Sequence, residues 1–253
     1  MRVTFLGTGT SHGIPMIGCE CPTCRSTDPR DTRFRPSIFI ETPDTHVLVD
    51  AGPDLRVQAL THRITRVDAI LFTHGHADHI LGMDDVRRFN ALKHGAMPCY
   101  GDARTLDDIR HVFGYVFDPA TPKGGGLPQL ELFRVVGPFS LGRQEVQPVP
   151  LLHGSRPILG FRLDGFAYLT DCSRIPDESW ELLGHLDVLV LDALRVRPHP
   201  THFSLSEAVA VAERIGADRT YFTHMCHDLG HEATCARLPA GLTLAYDGLV
   251  LEC

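Results

Sequence analysis

The chain has 253 residues, 43% of them hydrophobic and 22% charged, with a formal net charge of −7. That length buries a sizeable apolar core without disulfide staples, and no apolar run approaches the ~20 residues a spanning helix requires, so neither a disulfide miniprotein nor a membrane span is expected. The acidic balance argues against a broad nucleic-acid footprint, and the N-terminal M-R-V-T-F-L-G-T-G-T alternates like a strand rather than a secretory signal, which makes a cytoplasmic location the default.

Short apolar runs bounded by Gly, Pro or Asp predict strands over 3–6, 37–40, 47–49, 69–72, 130–136 and 145–149. More follow over 158–163, 166–169, 188–191, 219–222, 242–245 and 249–251. Helical periodicity predicts helices over 53–60, 79–92, 103–113 and 205–215, the last opened by Ser204 with Glu207 three residues on, a capping-box pattern. Helices are interspersed among strands rather than strictly alternating with them, which favours an α+β sandwich over a doubly wound parallel sheet. The glycine-rich stretch 122–128 has similar strands on both sides and reads as a surface loop rather than a linker. In L-G-T-G-T-S-H-G, the glycines Gly7, Gly9 and Gly13 miss the dinucleotide-binding spacing; a tight turn after the first strand is expected, with His12 a loop histidine.

Fifteen histidines are many for this length, and their densest point is T-H-G-H-A-D-H at 73–79, where a buried strand feeds a helix. Alternate residues of an extended stretch share a face, so His74 and His76 can reach one cation while Asp78 and His79 turn toward a second. Neutral imidazoles and a carboxylate suit Zn, Mn or Fe, and four such groups in six residues outweigh a satisfied core histidine as the explanation. Near the N-terminus, G-C-E-C-P-T-C places Cys19, Cys21 and Cys24 close enough to converge on one tetrahedral ion. Candidates for the fourth ligand lie in H-M-C-H-D-L-G-H-E-A-T-C, namely Cys226, His227, His231 and Cys235; the alternative is three ordinary buried thiols.

The 73–79 run resembles the signature of the metallo-β-lactamase superfamily, and the resemblance extends over nearly the whole chain. It implies a four-layer αββα sandwich forming a single domain over 1–253, with an N-terminal zinc-binding loop at about 18–36. It also implies further ligands: His153 in P-L-L-H-G, Asp171 in Y-L-T-D-C and His224 in Y-F-T-H-M, with Asp50 in V-L-V-D-A-G supporting them from behind. His74, His76 and His153 would then serve one metal, Asp78, His79 and His224 the other, and Asp171 both. Such a pair of ions, Mn or Zn with Fe or Ni as alternatives, can share a hydroxide at neutral pH and neutralise the attacking and leaving oxygens of a phosphoester. The founding lactamases use a cysteine at the second site; here the strand end offers Asp171 with Cys172 beside it, which implies phosphodiester or thioester chemistry rather than lactam cleavage.

Within the superfamily, the C-x-C-x-x-C loop and a histidine three residues after the last catalytic ligand most resemble the phosphoribosyl cyclic phosphate phosphodiesterases of the carbon-phosphorus lyase pathway. That resemblance implies His227 as the fourth ligand of a structural zinc, and His202 in H-P-T-H-F-S-L-S-E as the general acid, with His199 its neighbouring competitor. Asp78 is counted with His202 as catalytic, and Arg56 and Arg156 are candidate phosphate contacts. The function implied is hydrolysis of a small, cyclic phosphodiester by an enzyme acting without nucleic acid or membrane, with a homodimer left open. Two other readings stand beside it. An RNA-processing nuclease of the superfamily would need a basic arm that this acidic chain lacks, and a non-catalytic accessory protein of quinone-cofactor biosynthesis shares the cysteine loop but has no use for the complete ligand set.

Overall fold

The computed structural model describes every residue except Lys123 and Gly125, so part of the glycine-rich stretch 122–128 lies outside the described residues. One sheet contains β1 (Arg2–Gly7), β2 (Ser37–Glu41), β3 (His46–Val49), β4 (Ala69–Leu71), β5 (Met97–Gly101) and β6 (Leu130–Arg134). The other contains β7 (Phe139–Leu141), β8 (Gln144–His153), β9 (Arg156–Leu163), β10 (Phe166–Leu169), β11 (Val188–Asp192), β12 (Arg219–Thr223) and β13 (Leu242–Leu244). The last strand, β14 (Val250–Glu252), returns to the first sheet beside β1. The spatial orders are β14-β1-β2-β3-β4-β5-β6 and β13-β12-β11-β10-β9-β8-β7, each sheet antiparallel on one side and parallel from β3 to β6 or from β10 to β13.

The parallel strands read as unbroken apolar runs because both faces of each sheet are covered. Val47, Val49, Ala69 and Leu71 point between the sheets and meet Phe161, Leu163, Val188 and Val190. The alternate residues Leu48 and Ile70 point outward to Leu55 of α1 (Leu55–Thr61), Val86 and Phe89 of α3 (Val86–Lys93), and Leu106 and Ile109 of α4 (Ala103–Val112). On the far side, Leu189 and Leu191 pack on Ala208 and Ala212 of α7 (Leu205–Ile215). Three apolar layers between four layers of secondary structure make the αββα sandwich. No helix among the described residues is long and apolar enough to cross a membrane.

The capping box forms as the sequence predicts: Ser204 accepts from Glu207 N while the Glu207 carboxylate accepts from Ser204 N, and α7 ends at Gly216 with φ of 70°. The helix expected over 79–92 is instead broken into α2 (Ala77–Ile80), a 3-10 turn at Met83–Asp85, and α3. The break falls at Gly82, where a Cβ would lie 2.0 Å from Gly52 O, because two backbone segments cross there. Strand β5 escapes sequence reading because Pro98 demotes a strand and the residues are not uniformly apolar; it lies inside the sheet because its neighbours β4 and β6 supply the pairing. The short β7 and the single-turn helices α5 (Gly114–Phe117), α6 (Asp177–Trp180) and α8 (His231–Cys235) also lack enough periodicity to be read.

Candidate metal centre

The site assembles at the carboxyl ends of the strands, where side chains are released from the two buried faces. His74 and His76 follow β4, His153 is the last residue of β8, Asp171 follows β10, Asp192 ends β11, and His224 follows β12. Asp50, Asp171 and His224 each hold a left-handed backbone, with φ of 62°, 58° and 61°. Non-glycine residues adopt that region at a cost, so three cases at strand ends around one point mark a place where the fold aims side chains at a shared target.

Two ligand groups result: His74, His76 and His153, and beside them Asp78, His79, Asp171 and His224, with donor atoms within 4.8 Å of one another in each group. Asp171 Oδ2 lies 3.0 Å from His224 Nε2, 3.3 Å from His79 Nε2 and 3.9 Å from His74 Nε2, and so stands between the groups. Asp78 Oδ2 is 3.6 Å from both His79 Nε2 and His224 Nε2. Metal–ligand bonds of ~2.0–2.2 Å produce ligand–ligand edges of roughly 3.0–3.6 Å, and most of these separations match. The Nε2 atoms of His74, His79 and His224 are buried without a hydrogen-bond partner even with Asp171 at these distances. Lone pairs aimed at a common centre rather than at one another fit a cation. On two of the rings the opposite nitrogen is held: His79 Nδ1 donates to Asp50 Oδ2 at 2.7 Å and His153 Nδ1 to Thr201 O at 2.8 Å. Each of these two imidazoles is thereby set in the tautomer that leaves Nε2 free.

The charges agree. Burial, then the adjacent His79, keeps His74 well below the usual imidazole range. Burial also opposes a charge on His79, but Asp171, Asp50 and Asp78 outweigh it and raise that imidazole well above its usual range. His224 is likewise pushed up to about 10, Asp171 overcoming the cost of burial. Among the described residues, the ion-pair partners of Asp50, Asp78 and Asp171 are histidines alone. Three buried carboxylates without a lysine or arginine partner need positive charge, which divalent cations can provide.

His202 is buried beside this centre, its ring stacked on His224 with centroids 4.7 Å apart and edge-on to His153 at 4.6 Å. Its Nδ1 lies 3.2 Å from Asp192 Oδ1, while Asp192 Oδ2 accepts from Phe203 N at 2.9 Å. Asp192 was not singled out in the sequence, although L-D-A-L after an apolar run repeats the pattern of Asp50 and Asp171. Among the described residues His199 has no such carboxylate; its Nδ1 faces Thr201 N and Oγ1 at 3.3 and 3.1 Å. His12, expected to be an ordinary loop histidine, lines the same cleft as His199 and His202. Arg156 pairs with Asp108, which packs against Gly75 between His74 and His76, whereas Arg56 is exposed on α1 and lines a different cleft. Cys172 points into the outer core and is no part of the centre.

Cys19, Cys21, Cys24 and His227 also converge, with donor atoms within 4.8 Å of one another; His227 Nδ1 is 3.1 Å from Cys19 Sγ and 3.7 Å from Cys24 Sγ. The rival His231 packs on Tyr246, and Cys235 contacts Thr243 Oγ1 and Leu244 N. Fully buried Arg33 fastens this region, donating to Cys226 O at 3.1 Å and Leu229 O at 2.5 Å.

Residues 45–225, from the β3 hairpin past His224, match the family described as the beta-lactamase superfamily domain. The chain belongs to the beta-lactamase superfamily. Its likenesses within that family are specific. A solved structure described as a new diphosphatase from the PhnP family is 48% identical, with a TM-score of 0.93, over 99% of this chain and 97% of that one. An octanoyltransferase of Porphyromonas gingivalis is 36% identical over 252 residues, 98% of this superfamily member but 51% of the relative, so the chain spans about half of that protein. A coenzyme PQQ synthesis protein B of Methylobacterium is 25% identical over 305 residues, covering 99% of both.

Proposed function

We propose that this chain is a metal-dependent hydrolase of small phosphodiesters, cyclic ones included. The observation that carries the reading is Asp171 Oδ2 standing between two groups of imidazoles with free Nε2 atoms, next to a histidine backed by the buried Asp192. His74, His76 and His153 would hold one divalent ion and Asp78, His79 and His224 a second, with Asp171 shared; Mn and Zn fit the donors, with Fe or Ni as alternatives. Bound there, such a pair supplies Lewis acidity and an activated water. Cys19, Cys21, Cys24 and His227 would hold a structural zinc.

The residues supply the rest. Asp192 faces Nδ1 of His202 and so reserves the Nδ1 proton for itself, leaving Nε2 to deliver a proton to the departing oxygen as the P–O bond breaks. Asp50 keeps the His79 ring fixed, and Thr201 O does the same for His153. Burial of the donor groups excludes bulk water and strengthens each charge interaction. The diphosphatase likeness at 48% identity supports phosphate-ester chemistry. The PQQ synthesis relative supports a second reading, an accessory role in making a cofactor.

Metal-stripped protein reloaded with Mn²⁺, Zn²⁺ or Ni²⁺ should turn over bis(p-nitrophenyl) phosphate and 2′,3′-cyclic nucleotides; silence with every metal refutes the hydrolase reading and leaves the accessory one. His202→Ala should slow a poor leaving group by ~10²–10⁴ and p-nitrophenolate release far less, with metal content intact. Equal losses on both substrates would remove His202 from the role of acid.

A further inference from the structure

Of the eight cysteines, Cys19, Cys21 and Cys24 converge with His227, Cys99 and Cys172 are sealed in the core, and burial raises the thiols of Cys226 and Cys253. Cys235 differs from all of these. It is the last residue of α8, partly exposed, and its Sγ packs on the edge strand β13, 3.3 Å from Thr243 Oγ1 and 3.4 Å from Leu244 N. A hydroxyl and a backbone N–H are thus placed to donate to that sulfur, and the hydrolytic machinery described above uses none of the three.

A further donor stands on the same helix. His231 lies four residues earlier, so its ring and the Cys235 thiol share one face of α8, one turn apart. The ring is 4% exposed and edge-on to Tyr246, with centroids 5.6 Å apart. It faces the Cys235 sulfur, and its buried Nδ1 makes no hydrogen bond among the described residues, so a proton there is free to serve an anion on that sulfur. The backbone is pinned from the other side: His231 N donates to Asp31 Oδ1 at 2.8 Å, and Asp31 pairs with fully buried Arg33. Burial opposes a charge on Cys235, but the His231 ring, the Thr243 hydroxyl and Leu244 N outweigh it and bring the thiol down to about 7.

We propose that Cys235, backed by His231, is a reactive thiolate that hydroperoxides oxidise and small thiols then cap, a modification site separate from the metal centre. Thiolates, not thiols, attack peroxides, and a partly exposed sulfur surrounded by donors is the kind that does so. The Cys235 sulfur attacks one oxygen of the hydroperoxide; the S–O bond forms as the O–O bond breaks, sulfur is oxidised by two electrons, and the departing oxygen takes up a proton from solvent and leaves as water or an alcohol. A small thiol then attacks the sulfenic sulfur; the S–S bond forms, and the hydroxyl leaves as water with the proton of that thiol.

Iodoacetamide at limiting concentration, with peptide mass spectrometry, reads each cysteine of the metal-loaded protein across about pH 5–9. Cys235 should label with a midpoint near pH 7. At that pH it should react on the order of tenfold faster than exposed Cys253, a ~50-fold gain in thiolate fraction being partly offset by weaker nucleophilicity. His231→Gln should move the midpoint toward about 8.5, and Thr243→Val part of the way. A limiting dose of hydrogen peroxide with reduced glutathione should place the glutathione adduct on Cys235, roughly tenfold less of it in His231→Gln. Should His231→Gln fail to fold, the parent profile and Thr243→Val decide. Labelling of Cys235 no faster than that of Cys253 at pH 7, a midpoint unmoved in every variant that folds, or an adduct confined to other cysteines overturns the assignment.

Discussion

Asp50→Asn isolates what a buried carboxylate does for a ligand that it holds from behind. Asp50 is fully buried and accepts three hydrogen bonds: Thr73 N to Oδ1 at 2.9 Å, Thr73 Oγ1 to Oδ2 at 2.8 Å, and His79 Nδ1 to Oδ2 at 2.7 Å. Asparagine tolerates the left-handed φ of 62°, so the backbone is not the variable. With its oxygen kept on Thr73 N, the amide turns N–H donors toward His79 Nδ1. Two donors then face each other unless His79 moves its proton to Nε2, and that removes the lone pair aimed at the second metal group. Unrelieved, the conflict costs about 1–3 kcal/mol of stability; relieved, it costs ~10–100-fold in metal affinity. Elemental analysis across a chelator series, with urea unfolding of the same samples, measures both, and nitrogen-detected NMR of the imidazoles reads the tautomer. Unchanged metal affinity, turnover and stability in Asp50→Asn would refute the reasoning.

The same logic makes Asp192→Asn slow hydrolysis of poor leaving groups by about 10², because His202 loses its Nδ1 partner; Asp192 Oδ1 also accepts from Asp171 N at 3.2 Å and lies 3.6 Å from His224 Nδ1, so metal analysis of the same samples separates the two roles, and a rate loss matched by lost metal would place Asp192 among the structural supports of the centre. Elemental analysis should count about three metals per chain in the parent and one fewer in Cys21→Ser, together with a lower melting temperature, since a closed thiolate site contributes folding energy; two in the parent would remove the zinc. Burial pushes the Asp247 carboxyl up to about 7, against the pull of Phe34 N, Thr8 and Arg33. Its folded-state pKa thus exceeds the unfolded one, so the folded state holds the extra proton, and stability is lost as pH rises from about 4 to 7, on the order of 4 kcal/mol in total. Unfolding free energies across that window should fall less steeply in Asp247→Asn than in the parent, and parallel curves would count against the shift.

Chain-local signals reached far into this protein. The run T-H-G-H-A-D-H packs four ligands of two metal groups into six residues, and the strands and α7 around them follow from apolar runs and a capping box, since periodicity and caps depend on near neighbours only. Family likeness then pointed to His153, Asp171 and His224, which the fold brings to the same strand edge. Other features were illegible because their causes are distant in sequence. Gly82 breaks a periodic helix only because Gly52 crosses it, Pro98 joins a strand only because β4 and β6 flank it, and Asp192 matters only because His202 lies beside it.

By itself, then, the sequence determined the layered class of the fold and the chemistry of the donors, because alternation of buried residues and density of imidazoles are properties of short segments. Tertiary structure decided which nitrogen of His79 and of His153 is held from behind, that Asp171 stands between the two groups, and that Asp192 backs His202 rather than His199. Those facts depend on hydrogen bonds and charges between residues as far apart in sequence as Asp78 and His224, and only packing the two sheets face to face brings such residues within reach of one another.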